Sequence, residues 1–265
     1  IFTIAGSAVY AAEIPVSDQD QLITSSDWTE ISNLQDEMKK EEPDATIDYD
    51  KALKVYVDCN LIKLQTADTK KLTSALESAN YVWVIPFKME KTYGMFTVAK
   101  GLPLSEEAKS VLTKAEQEEV KNHAGKWMIT ETAEHTVEPY YDILLEKREA
   151  LSDCTRVVLV GSQPGMRQPV ALGMDDETAR IWISLGYQYP VMEKIPETQN
   201  VESGVYSFDS VAEISDTYIE DSEVSTGAGV QSRSSIKYVA GIGIVLIGSI
   251  LIISVLKKKK IKSED

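Results

Sequence analysis

Between Val239 and Leu256 the chain carries no charged side chain, and only Gly241, Gly243, Gly248, Ser249 and Ser254 interrupt a run of Ile, Leu, Val and Ala. At 1.5 Å per residue the run covers roughly 27 Å, close to the ~30 Å hydrocarbon core of a bilayer. It predicts one transmembrane helix over 237–256, with Tyr238 at the interface. Lys257, Lys258, Lys259, Lys260 and Lys262 follow at once. Such a cationic flank stays in the cytoplasm, so residues 257–265 form a short basic tail inside and everything before the helix lies outside.

The other end carries the same implication. Residues 1–12 are apolar and small, and Val9-Tyr10-Ala11 sets small residues at the −3 and −1 positions of a cleavage site. They read as the tail of a signal peptide whose charged start is truncated, removed near Ala11 or Ala12. Residues 13–26 then read as a linker, because Ser17 to Gln21 is polar.

Charge narrows the partners. The chain holds 27 Lys+Arg against 42 Asp+Glu, a formal charge of −15. Setting aside Lys237 and the charged residues of the tail leaves about −19 on the remainder. Nucleic-acid affinity comes largely from Lys and Arg displacing condensed counterions, so DNA and RNA are not expected partners. From Pro196 to Ser235 there is no basic residue until Arg233, while Glu197, Glu202, Asp209, Glu213, Asp216, Glu220, Asp221 and Glu223 repel one another. Residues 191–236 therefore read as an extended acidic stalk.

Residues 27–190 have the patterning of a folded domain. Asp27 with Glu30 resembles a capping box ahead of Ile31, Leu34 and Met38 on one helical face, which Pro43 ends. Further helices are expected on Leu72, Ala75, Leu76 and Ala79 after Thr69, after Ser105, and from Thr113 with Glu116 to Gly125. A last one runs from Pro139 through Ile143, Leu144 and Leu151. Strands are expected over Val55–Leu64, Tyr81–Phe87, Tyr93–Ala99, Trp127–Thr132 and Val157–Val160, with a hairpin of Val170–Met174 and Ala179–Leu185 around Asp175-Asp176-Glu177. Helices interleave with hairpins and no strict strand-helix-strand repeat appears. The expected fold class is α+β, a largely antiparallel sheet with helices packed on it, plus the C-terminal transmembrane helix.

The most site-like loop is Gly161-Ser162-Gln163-Pro164-Gly165-Met166-Arg167-Gln168-Pro169, directly after the most apolar strand. Gly161 and Gly165 let backbone approach a ligand, Arg167 is suited to clamp an anionic group, and Gln163 and Gln168 offer neutral hydrogen bonds. It is not a phosphate-binding P-loop, since no Gly-Lys-Ser/Thr ending or helix follows. The competing reading is a plain Gly/Pro connection between strands.

Other residues carry weaker signals. Asp175-Asp176-Glu177 lacks the spaced oxygens and central Gly of a calcium loop and reads as a turn. His123 and His135 are the only histidines and show no H-E-x-x-H pattern, and Ser162 has no G-x-S-x-G context. No catalytic residue, metal ligand or cofactor is assigned. Trp83, Trp127 and Trp182 are expected in the core. Cys59 and Cys154 are either a disulfide closing a long loop or two free thiols.

An exported domain, one span and a lysine tail together resemble the surface proteins of Gram-positive bacteria. Val224-Ser225-Thr226-Gly227 lacks the Pro of a sortase signal, so a retained membrane anchor is expected rather than attachment to the wall. Ile47-Asp48-Tyr49-Asp50-Lys51-Ala52, Gly101-Leu102-Pro103-Leu104, Gly125-Lys126-Trp127 and Val160-Gly161-Ser162-Gln163-Pro164-Gly165 are similar to stretches of uncharacterised exported proteins of Firmicutes, a resemblance that brings no activity with it. The expected function is a surface binding or interaction module for a peptide, a glycan or another envelope protein. The alternative is an envelope hydrolase using a carboxylate pair, as glycosidases do.

Overall fold

The computed structural model describes residues 14–215 except 136, 137, 162, 165, 167 and 188. The helices are α1 (Trp28–Ile31), α2 (Gln35–Glu41), α3 (Thr69–Glu77), α4 (Glu106–Val111), α5 (Lys114–His123), α6 (Tyr140–Glu146) and α7 (Pro190–Glu193). The strands are β1 (Thr46–Ile47), β2 (Leu53–Tyr56), β3 (Tyr81–Lys88), β4 (Tyr93–Lys100), β5 (Trp127–His135), β6 (Arg156–Val160), β7 (Val170–Met174), β8 (Ala179–Ile183), β9 (Asn200–Glu202) and β10 (Val205–Ser207). A further helical run covers 208–215.

All ten strands form one sheet in the order β5-β4-β3-β2-β6-β7-β8-β10-β9, with β1 on β3 beside β2. Every strand pair is antiparallel except β2 with β6, joined at Val55↔Leu159 and Tyr56↔Val160. The α+β class with a mostly antiparallel sheet follows. That parallel pair joins two antiparallel halves, since the chain leaves β2 toward β3 on one side and β6 toward β7 on the other.

Alternation along the central strands builds two faces. Leu53, Val55, Val157, Leu159, Ala171, Ile181 and Ile183 meet Tyr140 and Leu144 of α6 on one face. On the opposite face the core is split. Val158, Val160, Leu172 and Trp182 lie under Leu72 and Leu76 of α3 together with Phe208 and Val211. Trp83, Ile85, Phe87, Phe96 and Val98 lie under Ile31 and Met38. β6 is thus buried on both faces, as its unbroken apolar run requires, and the three tryptophans expected in the core are there.

Several expectations need correction. The helix expected from Asp27 to Pro43 is broken by a 3-10 turn at Ser32–Leu34, and the Asp27 side chain makes no capping bond. The strand expected over Val55–Leu64 is the shorter β2, followed by a 3-10 turn at Ile62–Leu64. α6 ends at Glu146, short of Leu151, which is buried nonetheless. Residues 191–215, expected at the start of a stalk, belong to the domain. β10 pairs with β8, and Val205, Phe208 and Val211 are buried, because this stretch supplies the apolar side chains that cover the far half of the sheet. The expected linker 13–26 is likewise packed through Ile14, Val16 and Leu22.

The connection from β4 to β5 is different in kind. No residue from Leu102 to Lys126 whose burial is described is buried, and Val111 is 68% exposed. α4 and α5 hold their shape by local means. Ser105 caps the first, and Thr113 with Glu116 forms the expected reciprocal capping box on the second. The excursion is closed at its base by Gly101 N–H donating to the Lys126 carbonyl at 2.9 Å and Gly125 N–H to the Gly101 carbonyl at 2.8 Å. A Cβ at Gly101 would stand 2.1 Å from the His123 carbonyl oxygen. Gly101→Ala should therefore cost about 1–3 kcal/mol by forcing backbone apart, read as a lowered urea midpoint at unchanged slope. The same change at Gly161, where the nearest atom lies 3.7 Å away, should cost less.

No helix among the described residues is long and apolar enough to cross a membrane. The expected span at 237–256, the signal-peptide remnant at 1–12 and the tail at 257–265 lie outside the described residues.

Candidate functional site

Two polar centres flank the parallel pair, one at each end. At the carboxyl ends of β2 and β6, the loops 57–68 and 161–169 lie side by side, and Leu61, Ile62 and Met166 enter the same core on the β6–β8 half of the sheet. Gly161 N–H donates to the Tyr56 carbonyl at 2.7 Å, extending the pairing by one step. Gln163 then bridges the two loops. Its Oε1 accepts from Leu61 N–H at 3.0 Å, and its Nε2 donates to the carbonyls of Cys59 at 2.6 Å and Gly161 at 3.0 Å.

Gln163 is only 3% exposed, and both of its amide hydrogens are engaged with backbone. It braces the two loops rather than facing a ligand. Gln168 is exposed, and the neighbouring Pro169 carbonyl accepts the Tyr189 hydroxyl. Met166 turns inward to anchor the loop in the core. Gly161 is in ordinary contact with its neighbours. Arg167, Gly165 and Ser162 lie outside the described residues. Of the expected site residues, Gln168 is thus the described polar side chain that faces out.

At the amino ends of the same two strands the sheet forks, and the segment 15–22 fills the gap. Val157 N–H donates to the Pro15 carbonyl at 2.8 Å on the β6 side. On the β2 side, Lys54 N–H donates to the Asp20 carbonyl at 3.0 Å and Leu22 N–H to the Ala52 carbonyl at 3.2 Å. The Asp20 carboxylate is buried in the fork. It accepts from the Tyr56 hydroxyl at 2.8 Å, the Ser17 hydroxyl at 2.6 Å and Arg156 at 3.0 Å, with the Lys54 ammonium 3.8 Å away.

Lys54 reaches this anion across a wall of rings, lying 4.5 Å from the Tyr81 centroid and 5.3 Å from that of Trp83. Desolvation lowers its pKa, although Asp20 and Asp27 pull it the other way. Asp27 accepts from the Tyr81 hydroxyl at 2.8 Å and Trp83 Nε1 at 3.0 Å, which explains why it does not cap α1. This seam divides the two cores on that face. Both Asp20 oxygens are engaged by protein groups, so the network joins strands and is closed to solutes.

Sequence reading missed Asp20, Lys54 and Arg156. Lys54 alternates with Leu53 and Val55, the ordinary pattern of a strand with a wet face. The one available signal was Arg156, which has the same parity as the buried Val158 and Val160.

The remaining candidates resolve locally. Asp175 accepts N–H bonds from Glu177 and Thr178 and pairs with Arg180, which lowers its pKa, so the acidic triplet is a turn. Glu116, held by Thr113, is lowered too. Neither shift is in the upward direction a general acid needs. His123 ends α5 and His135 ends β5. No group of three His, Cys, Asp or Glu placed to hold a metal occurs among the described residues. Cys59 and Cys154 are free thiols, not a disulfide.

No family model, curated protein or solved structure matches this chain.

Two outcomes are expected. Asp20→Asn leaves Arg156 and Lys54 beside each other without their anion and should cost about 3 kcal/mol in chemical unfolding. Burial raises the Cys59 thiol to about 12 and the Cys154 thiol to about 11, from an ordinary value of 9.0. The folded state therefore keeps protons that the unfolded chain releases above pH 9. Stability should fall as pH rises from 9 toward those values, and both thiols should resist alkylation at pH 8 until the chain is unfolded.

Proposed function

We propose that this chain is a membrane-anchored binding module displayed outside the cell, held by a helix at 237–256 with residues 257–265 in the cytoplasm. Its ligand meets the Gly161–Pro169 loop. The observation that carries the reading is the position of that loop at the carboxyl end of the parallel pair β2–β6, where Gln163 holds it against the backbone of Cys59 and Leu61. Arg167 supplies the charged contact and Gln168 a neutral one, with Gly161 and Gly165 shaping the loop. As the one cation of the 161–169 loop in a chain of net charge −15, Arg167 favours an anionic group at short range, such as a carboxylate of a peptide, a glycan or an envelope protein.

The anchor rests on the uncharged stretch before five lysines, and the export signal on residues 1–12.

The experiment has two arms. Protease added to intact cells should remove the region before Lys237, and its survival would overturn the orientation. Purified protein titrated with carboxylate-terminated peptides and acidic oligosaccharides should bind at least one of them. Arg167→Ala should weaken that binding by about 1.5–3 kcal/mol, and added salt should speed association by screening the domain's negative charge. No binding, or binding indifferent to Arg167→Ala in a variant with unchanged circular dichroism, would return the loop to a plain connection.

A further inference from the structure

The two edges of the sheet are treated differently. β9 is three residues long, a short edge that offers little to pair with. β5 is nine residues long, contains no Lys or Pro, and is hydrogen-bonded to β4 along one side only. Among the described residues no backbone group outside the sheet bonds to Trp127–His135. Edge strands commonly carry Lys, Pro or a bulge that turns the strand away. β5 has its bulge at Thr130, opposite the step from Thr97 to Val98, where the Thr130 hydroxyl donates to the Thr97 carbonyl at 3.1 Å. Beyond the bulge the pairing is regular again from Glu131↔Thr97 to His135↔Tyr93, five residues of open ladder.

The charge beside that ladder has one sign. Glu131 and Glu134 are both exposed, and the register sets them on opposite faces of the sheet. Glu138 follows and is exposed as well. A strand laid along this edge therefore meets a carboxylate on each face. A second copy of the chain would bring the same carboxylates and another −15 of formal charge, which opposes edge-to-edge pairing of two copies.

We infer that the Glu131–His135 edge of β5 is a docking site for an extended cationic segment of a partner protein, which adds an eleventh strand to the sheet. Main-chain hydrogen bonds supply the affinity, and Lys or Arg side chains on both faces of the added strand supply selectivity by pairing with Glu131 and Glu134. The site is separate from the Gly161–Pro169 loop and does not depend on it, since four strands lie between β5 and β7 in the sheet order.

The test uses the full-length chain in detergent. The probe is a nine-residue peptide of alternating Lys-Lys and Thr-Val pairs, together with the same peptide N-methylated at alternate residues and a version with Glu in place of Lys. The cationic probe should bind with main-chain amide protection appearing along Glu131–His135 in hydrogen exchange. Its affinity should fall at least tenfold in the double variant Glu131→Lys, Glu134→Lys, and tenfold or more on N-methylation. The Glu probe should not bind. Equal binding of the N-methylated probe would show attraction by charge alone and overturn strand addition. Protection of those amides before any probe is added would show the edge already occupied by the chain itself, and would overturn it too. Arg167→Ala should leave the probe's affinity unchanged, which separates failure here from failure of the loop.

Discussion

A carboxylate placed out of water is tolerated only when its charge and lone pairs are met. Asp20 is such a group, and the partners that meet it come from three parts of the chain: Ser17 beside it, Tyr56 and Lys54 of β2, and Arg156 at the start of β6. The two halves of the sheet are each held by antiparallel neighbours, but they meet through only two bonded residue pairs between β2 and β6. Without Asp20 the amino ends of these strands would leave a fork lined by two cations. With it, the fork closes and the face above is divided into two separate apolar cores. The Gln163 bridge does the corresponding work at the other end, where a neutral amide suffices because it has only backbone groups to satisfy.

What could be read from sequence follows from how far apart interacting residues lie. The Thr113–Glu116 box and the Ser105 cap are contacts over three residues, and both form as the spacing predicts. The hairpins β3–β4 and β7–β8 were legible because alternation and turn chemistry are local too. Asp27 was misread for the opposite reason. It stands where a cap should, yet its Oδ2 accepts from Tyr81 and Trp83, more than fifty residues on, which turns the carboxylate to the sheet. Ser17 to Gln21 looks like a solvated linker by composition, and nothing nearby reveals that Arg156 waits for Asp20. The acidic surroundings of Val205, Phe208 and Val211 hid a three-residue strand and a helical run that add to the cores on opposite faces of the sheet. At the candidate site, Gln168 is exposed, while Gly161 is buried and bonded to β2. The inward turn of Gln163 depended on the 59–61 backbone, which no pattern in its own loop encodes.

The strap at 15–22 also fixes an order of assembly. Its carbonyl at Pro15 waits for the amide of Val157, about 140 residues later in the chain, so this contact is among the most non-local in the fold. A chain synthesised amino end first has residues 15–22 available long before β6 arrives. Until then β2 can pair with β3 and the first core can form, while Asp20 stays in water. The seam between the halves thus cannot close before β6 is made, and a chain stalled before Arg156 would present half a sheet whose free inner edge is β2.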